Sequence, residues 1–302
     1  MSTPPTWAII HEASQQVGAN PAAREKQRFT ETGRDRGAQI IDIPANWARH
    51  SDAETALSHI PRAPQPTPTF LSGYIHPGDE YEELFESASA RNFILANDPD
   101  EYQRSHSMSE SLPLLAELTP KSFMIDDLAE LPAALAEIGL PAFVKGDVQS
   151  RKDRGWQRCV ANTEAELETI AADLLDRYAW SEGRVVIREL VALKHSRTQA
   201  DGFPIGREFR AIVFGSKVVG LGYYWPGGSA DPLRALDESE ERAVRELALQ
   251  AASRVRVPFV VIDIGQLEDG AWIVIETGDP QTAGYGEIDP GQMIGEILSN
   301  LA

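Results

Sequence analysis

Two carboxylates that close two apolar runs are the residues of this chain best suited to do chemistry. Asp263 follows Val260–Ile262, Glu276 follows Ile273–Ile275, and the turn Glu268–Gly270 lies between the runs. Asp-Gly between hydrophobic runs is a strong signal for a β-hairpin, so both side chains could project from paired strands toward one point. A carboxylate on a buried strand must be ion-paired, protonated or bound to a metal. The alternative interpretation is that each is a polar residue at the solvated edge of its strand.

A cluster of cations lies elsewhere in the chain. Lys145 ends the apolar run Phe143–Lys145, and the loop after it carries Arg151, Lys152 and Arg154. A lone lysine at such a position can simply extend its ammonium group to solvent. Several cations flanking a loop instead form a phosphate clamp. Together with two carboxylates able to hold magnesium, they are the usual complement for handling a nucleoside triphosphate.

Composition limits the classes of function. The 302 residues allow two domains, or one domain with an additional lobe, and 42% apolar with 25% charged residues is typical of a soluble globular protein. No apolar stretch is long enough to cross a membrane, and the N-terminus does not have the pattern of a signal peptide. The single Cys159 excludes an internal disulfide and fits the cytoplasm. A net charge of −18 makes a nucleic-acid partner unlikely on electrostatic grounds.

The first part of the chain alternates between strand and helix patterns. Its proline-rich segment 61–68 is expected to be an extended surface connector. The alternation predicts a small open parallel sheet. No G-x-G-x-x-G follows the first strand, so we expect a scaffold that forms one wall of a cleft. The predicted strands are 7–10, 39–43, 69–75 and 93–96, and the predicted helices are 22–36 and 80–90.

The turn cluster Asn97–Asp100 is the best candidate for a domain boundary. Helices and strands then predict one α+β lobe up to residue 183 and a second lobe from residue 184. The loops 194–206 and 223–229 look mobile enough to cover a substrate. The predicted helices are 101–118, 126–139, 164–178 and 238–255, and the predicted strands are 141–145, 157–161, 184–190, 207–214 and 217–225.

The order of these pieces resembles the ATP-grasp enzymes from about Asn97 to the C-terminus. The resemblance implies an α/β and α+β chain, in which a Rossmann-like α/β domain (1–97) precedes an ATP-grasp domain (98–302) with lobes at 98–183 and 184–302. The matching segments are Leu140–Lys145, Val186–Val191, Glu208–Arg210, Asp263 and Val274–Glu276.

The resemblance also implies a role for each matching residue. Lys145 would contact the α- and β-phosphates of ATP, the adenine would lie at the hinge, and Glu208 would lie near the ribose or the metal. Arg210 would act on the γ-phosphate or an acyl phosphate. The implied nucleotide-binding residues are Lys145, Arg151, Arg188, Glu189, Leu190, Val191 and Glu208; the catalytic cations are Lys152 and Arg210; the magnesium ligands are Asp263 and Glu276.

Two departures from the family pattern stand out. The loop Gly146–Lys152 is basic and poor in glycine, whereas the family commonly has a glycine-rich loop there. Many members have an asparagine two residues after the metal glutamate, a position that is Gly278 in this chain. The chain thus looks like a divergent clade found in bacteria and phages, and Asp279 is our candidate for the missing ligand.

The activity implied by the resemblance is an ATP-dependent carboxylate–amine ligase that forms an amide through an acyl phosphate. It would use ATP and Mg²⁺, act in the cytoplasm on a small molecule, amino acid or peptide, and need no nucleic-acid or membrane partner. Dimers are common in the family, so a homodimer is allowed. The alternatives that stay open are a kinase on the same fold and a non-catalytic nucleotide-binding module.

Overall fold

The computed structural model describes residues 6–13, 21–45, 47–149, 155–200, 202–225 and 231–301. The first part of the chain forms the predicted open sheet, with strand order β2-β1-β3-β4 and every neighbouring pair parallel. Its apolar side chains pack around Trp47 and Tyr81. The strands are β1 (Ala8–Ala13), β2 (Gln39–Pro44), β3 (Thr67–Ser72) and β4 (Phe93–Leu95), and the helices are α1 (Pro21–Asp35), α2 (Ala53–Leu57) and α3 (Gly78–Ser89).

The single helix predicted at 101–118 is wrong, because the structure has α4 (Pro99–His106) and α5 (Met108–Leu115) instead. Ser107 between them is extended, with φ −86° and ψ 127°. The buried Asp147 causes the break: its backbone oxygen accepts from the Met108 amide, and its carboxylate accepts from the Ser109 amide at 2.6 Å. A new helix therefore begins at Met108.

An antiparallel sheet of order β5-β8-β6-β7 forms the next lobe. The predicted strand 157–161 is mostly wrong, because a 3₁₀ turn occupies Trp156–Arg158 and only Val160–Ala161 pairs. The division at residues 97 and 183 stays a prediction, and β8, which lies after 183, is hydrogen-bonded into this sheet. The elements are β5 (Ser122–Ile125), α6 (Leu131–Ile138), β6 (Ala142–Gly146), β7 (Val160–Ala161), α7 (Glu164–Leu175), α8 (Tyr178–Ser181) and β8 (Val185–Glu189).

The last lobe contains a second antiparallel sheet, of order β12-β11-β13-β14. The segment expected to be a mobile loop at 194–206 contains a two-stranded sheet of β9 and β10. The elements are β9 (His195–Thr198), β10 (Pro204–Gly206), β11 (Glu208–Phe214), β12 (Lys217–Tyr223), α9 (Glu238–Val255), β13 (Phe259–Gln266), β14 (Trp272–Gly278) and α10 (Pro290–Leu301).

Strand β13 is the centre of the molecule, since all its residues are buried. One face of its sheet packs on α9 through Val260 and Ile262. The other face packs on β1, β3 and α10 through a cluster that contains Val261, Phe259 and Ile212. Because both faces are covered by apolar side chains, a charged residue on β13 requires a specific partner.

Candidate active site

The predicted hairpin is present. Asp263 on β13 lies directly opposite Glu276 on β14, and the strand register shifts immediately after Asp263. Gly270 supplies the positive φ of the connecting turn, +95°, which an L side chain rarely adopts. The prediction that the two carboxylates lie side by side is confirmed.

Asp263 is bound by a cation from the neighbouring strand. Arg210 on β11 is its cross-strand partner, and the guanidinium donates to both carboxylate oxygens, at 2.8 and 2.7 Å. It also donates to the Gly284 carbonyl and lies over the Tyr224 ring at 4.7 Å. Burial alone would lower the pKa of Arg210, but the charge of Asp263 outweighs it and raises the pKa. Arg210 is therefore a permanent, fixed cation.

Glu276 is bound by a cation from the other lobe. Lys145 Nζ on β6 lies 3.0 Å from Glu276 Oε2, so this ion pair spans the cleft between the two antiparallel sheets. The Lys145 side chain is 4% exposed and that of Glu276 25% exposed. Glu276 can therefore exchange its partner for a ligand with less cost than a fully buried carboxylate.

Arg188 on β8 also joins the lobes. Its guanidinium donates to the Ile275 carbonyl at 2.6 Å and to Ser122 Oγ at 3.0 Å. Burial lowers the pKa of Arg188 to about 10, so it is still charged at neutral pH. These bonds hold β14 at a fixed distance from β5 and β8.

An apolar slot lies between the lobes, and the described residues predicted to bind nucleotide all line it. Three aromatic side chains were not predicted as site residues: Phe143, Trp156 and Phe203. Phe143 could have been found, because it shares a strand face with Lys145 two residues later. Trp156 and Phe203 come from distant loops, and no local signal marks them. The slot is lined by Pro120, Phe143, Lys145, Trp156, Arg188, Glu189, Leu190, Val191, Leu193, Phe203, Pro204, Glu208, Ile275 and Glu276.

A polar pocket of about 310 Å³ adjoins the slot at Glu276. It brings the two remaining predicted metal ligands together with Arg210, and it reaches the N-terminal sheet domain at Ile75 and helix α4 at His106. The pocket is lined by Ile75, His106, Val148, Gln149, Arg210, Tyr224, Val261, Asp263, Glu276, Thr277, Gly278, Asp279, Thr282, Ala283 and Gly284.

Asp279, the candidate replacement ligand, is held by hydrogen bonds within the protein. Its oxygens accept from Asn97 Nδ2 at 2.8 Å, from the Gln281 amide at 2.7 Å and from Gln281 Nε2 at 3.1 Å. Burial raises the pKa of Asp279 to about 6. Asn97 also accepts from the Phe259 amide, so Asp279 connects β13 to the start of the linking helices.

Two predicted site residues, Arg151 and Lys152, lie outside the described residues. Within the described ranges, no group of three or more His, Cys, Asp or Glu side chains is arranged to hold a metal ion. None of the helices in those ranges is long and apolar enough to cross a membrane.

Solved structures with the same fold share little sequence with this chain. The RimK domain protein ATP-grasp from Sphaerobacter thermophilus DSM 20745 is 13% identical, with a TM-score of 0.57 over 96% of this chain and 100% of that one. The ADP complex of N5-carboxyaminoimidazole ribonucleotide synthetase is 12% identical, with a TM-score of 0.61 over 93% and 71%. D-alanyl-alanine synthetase A from Vibrio cholerae O1 biovar eltor str. N16961 is 10% identical, with a TM-score of 0.62 over 97% and 94%.

These likenesses establish the ATP-grasp fold. A comparison with curated proteins gives no match. A family model described as an ATP-grasp domain, the third family of its clade, matches residues 131–297, more than half of the 302 residues. The matched segment contains Lys145, Arg210, Asp263 and Glu276. The chain therefore belongs to this family of ATP-grasp domains.

Proposed function

We propose that this protein is an ATP-dependent, ADP-forming carboxylate–amine ligase. The observation that carries the proposal is the continuity of two unlike cavities: the apolar slot and the polar pocket share Glu276. Lys145 faces Glu276 from the opposite lobe. An apolar slot suits a purine base, and a polar pocket suits reacting carboxylate and amine groups.

The nucleotide would lie along the slot. Phe143 and Trp156 provide apolar walls, and the hinge Glu189–Val191 provides backbone groups for the edge of the adenine. Lys145 would then contact the phosphates at the end that opens into the polar pocket. One of the similar structures was determined with ADP, which supports a diphosphate product in this fold.

The carboxylates fit magnesium of the kind that accompanies a nucleotide. Mg²⁺ is usually held by one or two carboxylates together with substrate phosphates, and an all-protein cage is uncommon. Asp263 and Glu276 are adjacent across β13 and β14, and a carboxylate oxygen can accept more than one partner. When bound, Mg²⁺ would neutralise phosphate charge at this point.

The chemistry needs no nucleophilic side chain. A substrate carboxylate oxygen attacks the γ-phosphorus of ATP, the bond to the bridging oxygen breaks, and ADP leaves. The amine nitrogen then attacks the acyl carbon, phosphate leaves and the amine loses a proton. The first step brings two anions together, so a fixed cation such as Arg210 stabilises the developing charge.

The polar pocket sets the substrate class of the proposal. A volume of about 310 Å³ accommodates a small molecule, an amino acid or the end of a peptide. The net charge of −18 opposes binding of a nucleic-acid backbone.

An ADP-release assay with Mg²⁺, ATP and pairs of amino acids and dicarboxylic acids tests the proposal. A ligase releases ADP and inorganic phosphate only when both co-substrates are present, because an amide forms from the two. A kinase releases ADP with one co-substrate and keeps the phosphate on its product. Absence of nucleotide binding by the purified protein contradicts both activities.

A further inference from the structure

His106, the last residue of α4, has a buried polar atom without a partner. The residue is 6% exposed, its ring packs on Tyr102 at 4.8 Å between centroids, and it lines the polar pocket. Its Nε2 makes no hydrogen bond to any described residue. A buried polar atom left in this way costs about 1–3 kcal/mol, so it requires an explanation.

The charged side chains around the same pocket have partners. Arg210 is paired with Asp263, and Asp279 accepts from Asn97. At the junction with the slot, Glu276 is paired with Lys145. His106 is therefore unlike its neighbours: its hydrogen-bonding capacity is left for something that enters the pocket.

The surroundings of His106 keep its ring neutral. Burial, and then the positive charge of Lys145, lower the pKa of His106 to about 4. A neutral imidazole carries one N–H and one lone pair. His106 can therefore donate a hydrogen bond to an anion without bringing a second charge next to Lys145. Glu276 also acts on His106 electrostatically, which places the ring at the phosphate end of the slot.

We propose that His106 binds a phosphoryl oxygen, and that it distinguishes the terminal, transferable phosphoryl group from the two phosphates of ADP. The inference rests on the proposed nucleotide site. A half-turn of the ring about χ2 exchanges the positions of its nitrogen and carbon atoms, so Nε2 can face a ligand without backbone movement and without loss of the Tyr102 contact. The phosphoryl group is either the γ-phosphate of the nucleotide or free inorganic phosphate.

Calorimetric titration of the full chain with three probes in Mg²⁺ tests this role: the imido analogue of ATP, ADP, and inorganic phosphate added to the ADP complex. His106→Phe keeps the ring packing but removes the nitrogens. We expect it to weaken the imido analogue about tenfold, as for one hydrogen bond to a charged group, and to leave ADP unchanged. His106→Gln retains a donor and is expected to bind within about threefold of the original chain. His195→Phe, which alters an exposed histidine on β9, is the matched control.

The probes separate the outcomes. A loss confined to the imido analogue assigns the γ-phosphate, and a loss of phosphate binding to the ADP complex assigns the released phosphate. Equal binding of the imido analogue by His106→Phe and the original chain overturns the role of His106 while leaving the nucleotide site intact. If the original chain binds neither nucleotide, the proposed function fails as well. Should His106→Phe not fold, ¹⁵N NMR of the original chain decides, because the His106 Nε2 signal must shift with the imido analogue and not with ADP.

Discussion

Two buried carboxylate clusters in this molecule have opposite designs. The hairpin cluster consists of Lys145, Arg210, Asp263 and Glu276. The Glu12 cluster consists of Glu12, Trp47, His76 and Glu80 at the end of the N-terminal parallel sheet. Members of the first line the slot or the polar pocket, whereas the residues of the second line neither.

The Glu12 carboxylate is surrounded by donors from several elements. It accepts from Trp47 Nε1 at 2.9 Å and from the Tyr74 amide at 2.6 Å, and it contacts His76 Nε2 at 2.5 Å. His76 Nδ1 in turn lies 2.9 Å from Glu80. A carboxylate whose bonds are all made within the protein fixes a loop. A carboxylate with a cationic partner beside a cavity can exchange that partner for a ligand, and this difference separates structural from functional burial.

The largest effect should come from Glu12→Ala. It leaves the buried Trp47 and Tyr74 donors without an acceptor, so we expect a loss of about 3–5 kcal/mol in the free energy of unfolding. Urea denaturation measures it. Nucleotide affinity of the folded protein should stay unchanged. Glu80→Ala is the control, because its side chain is 36% exposed and its removal should cost less than about 1 kcal/mol. Equal losses in the two variants would contradict the structural role of Glu12.

The next effect reverses the pattern. Lys145→Met should weaken Mg²⁺-nucleotide binding on the order of 100-fold, the value of a strong charge-assisted contact to phosphate. Its effect on the free energy of unfolding should be small, since Glu276 can be hydrated. Lys121→Met is the matched control: that lysine is 56% exposed and its nearest ion-pair distance, to Glu137, is 3.4 Å. A Lys145 variant that binds nucleotide as well as the Lys121 variant would remove the lysine from the site.

The pH dependence of stability should come from the Glu12 cluster. Burial alone would lower the pKa of His76, but its hydrogen bonds to Glu12 and Glu80 outweigh burial and raise the pKa to about 8. The folded protein then binds the proton more tightly than the unfolded chain. The extra stability of about 2 kcal/mol is fully present below pH 6.5 and is lost as the pH rises through about 8. Urea denaturation across this range should show the loss in the original chain and not in His76→Gln; a parallel pH profile would refute it.

Much of the hairpin cluster could be predicted because its signals are local. The alternation around Asp263 and Glu276 and the turn at Gly270 lie within a short stretch of chain. The long predicted helix failed because Asp147, far along the sequence, supplies the bonds that start α5. His106 and Phe203 gain their roles only from contacts between distant elements, which hydrophobic periodicity does not encode. The C-terminal helix α10 was not predicted, although it covers one face of the β13 sheet.

The smallest effect should come from Asp279, which lines the polar pocket but is bonded like Glu12. Because Asn97 and Gln281 already donate to its carboxylate, we expect Asp279→Asn to change the Mg²⁺ dependence of nucleotide binding by less than about threefold, under 1 kcal/mol. Glu276→Gln, which alters a proposed ligand on the neighbouring strand, should reduce that dependence by more than about tenfold. Calorimetry at several Mg²⁺ concentrations compares the two. If Asp279→Asn matches Glu276→Gln, Asp279 takes the place of the family's asparagine, and a fully hydrogen-bonded carboxylate is no longer sufficient to indicate a structural role.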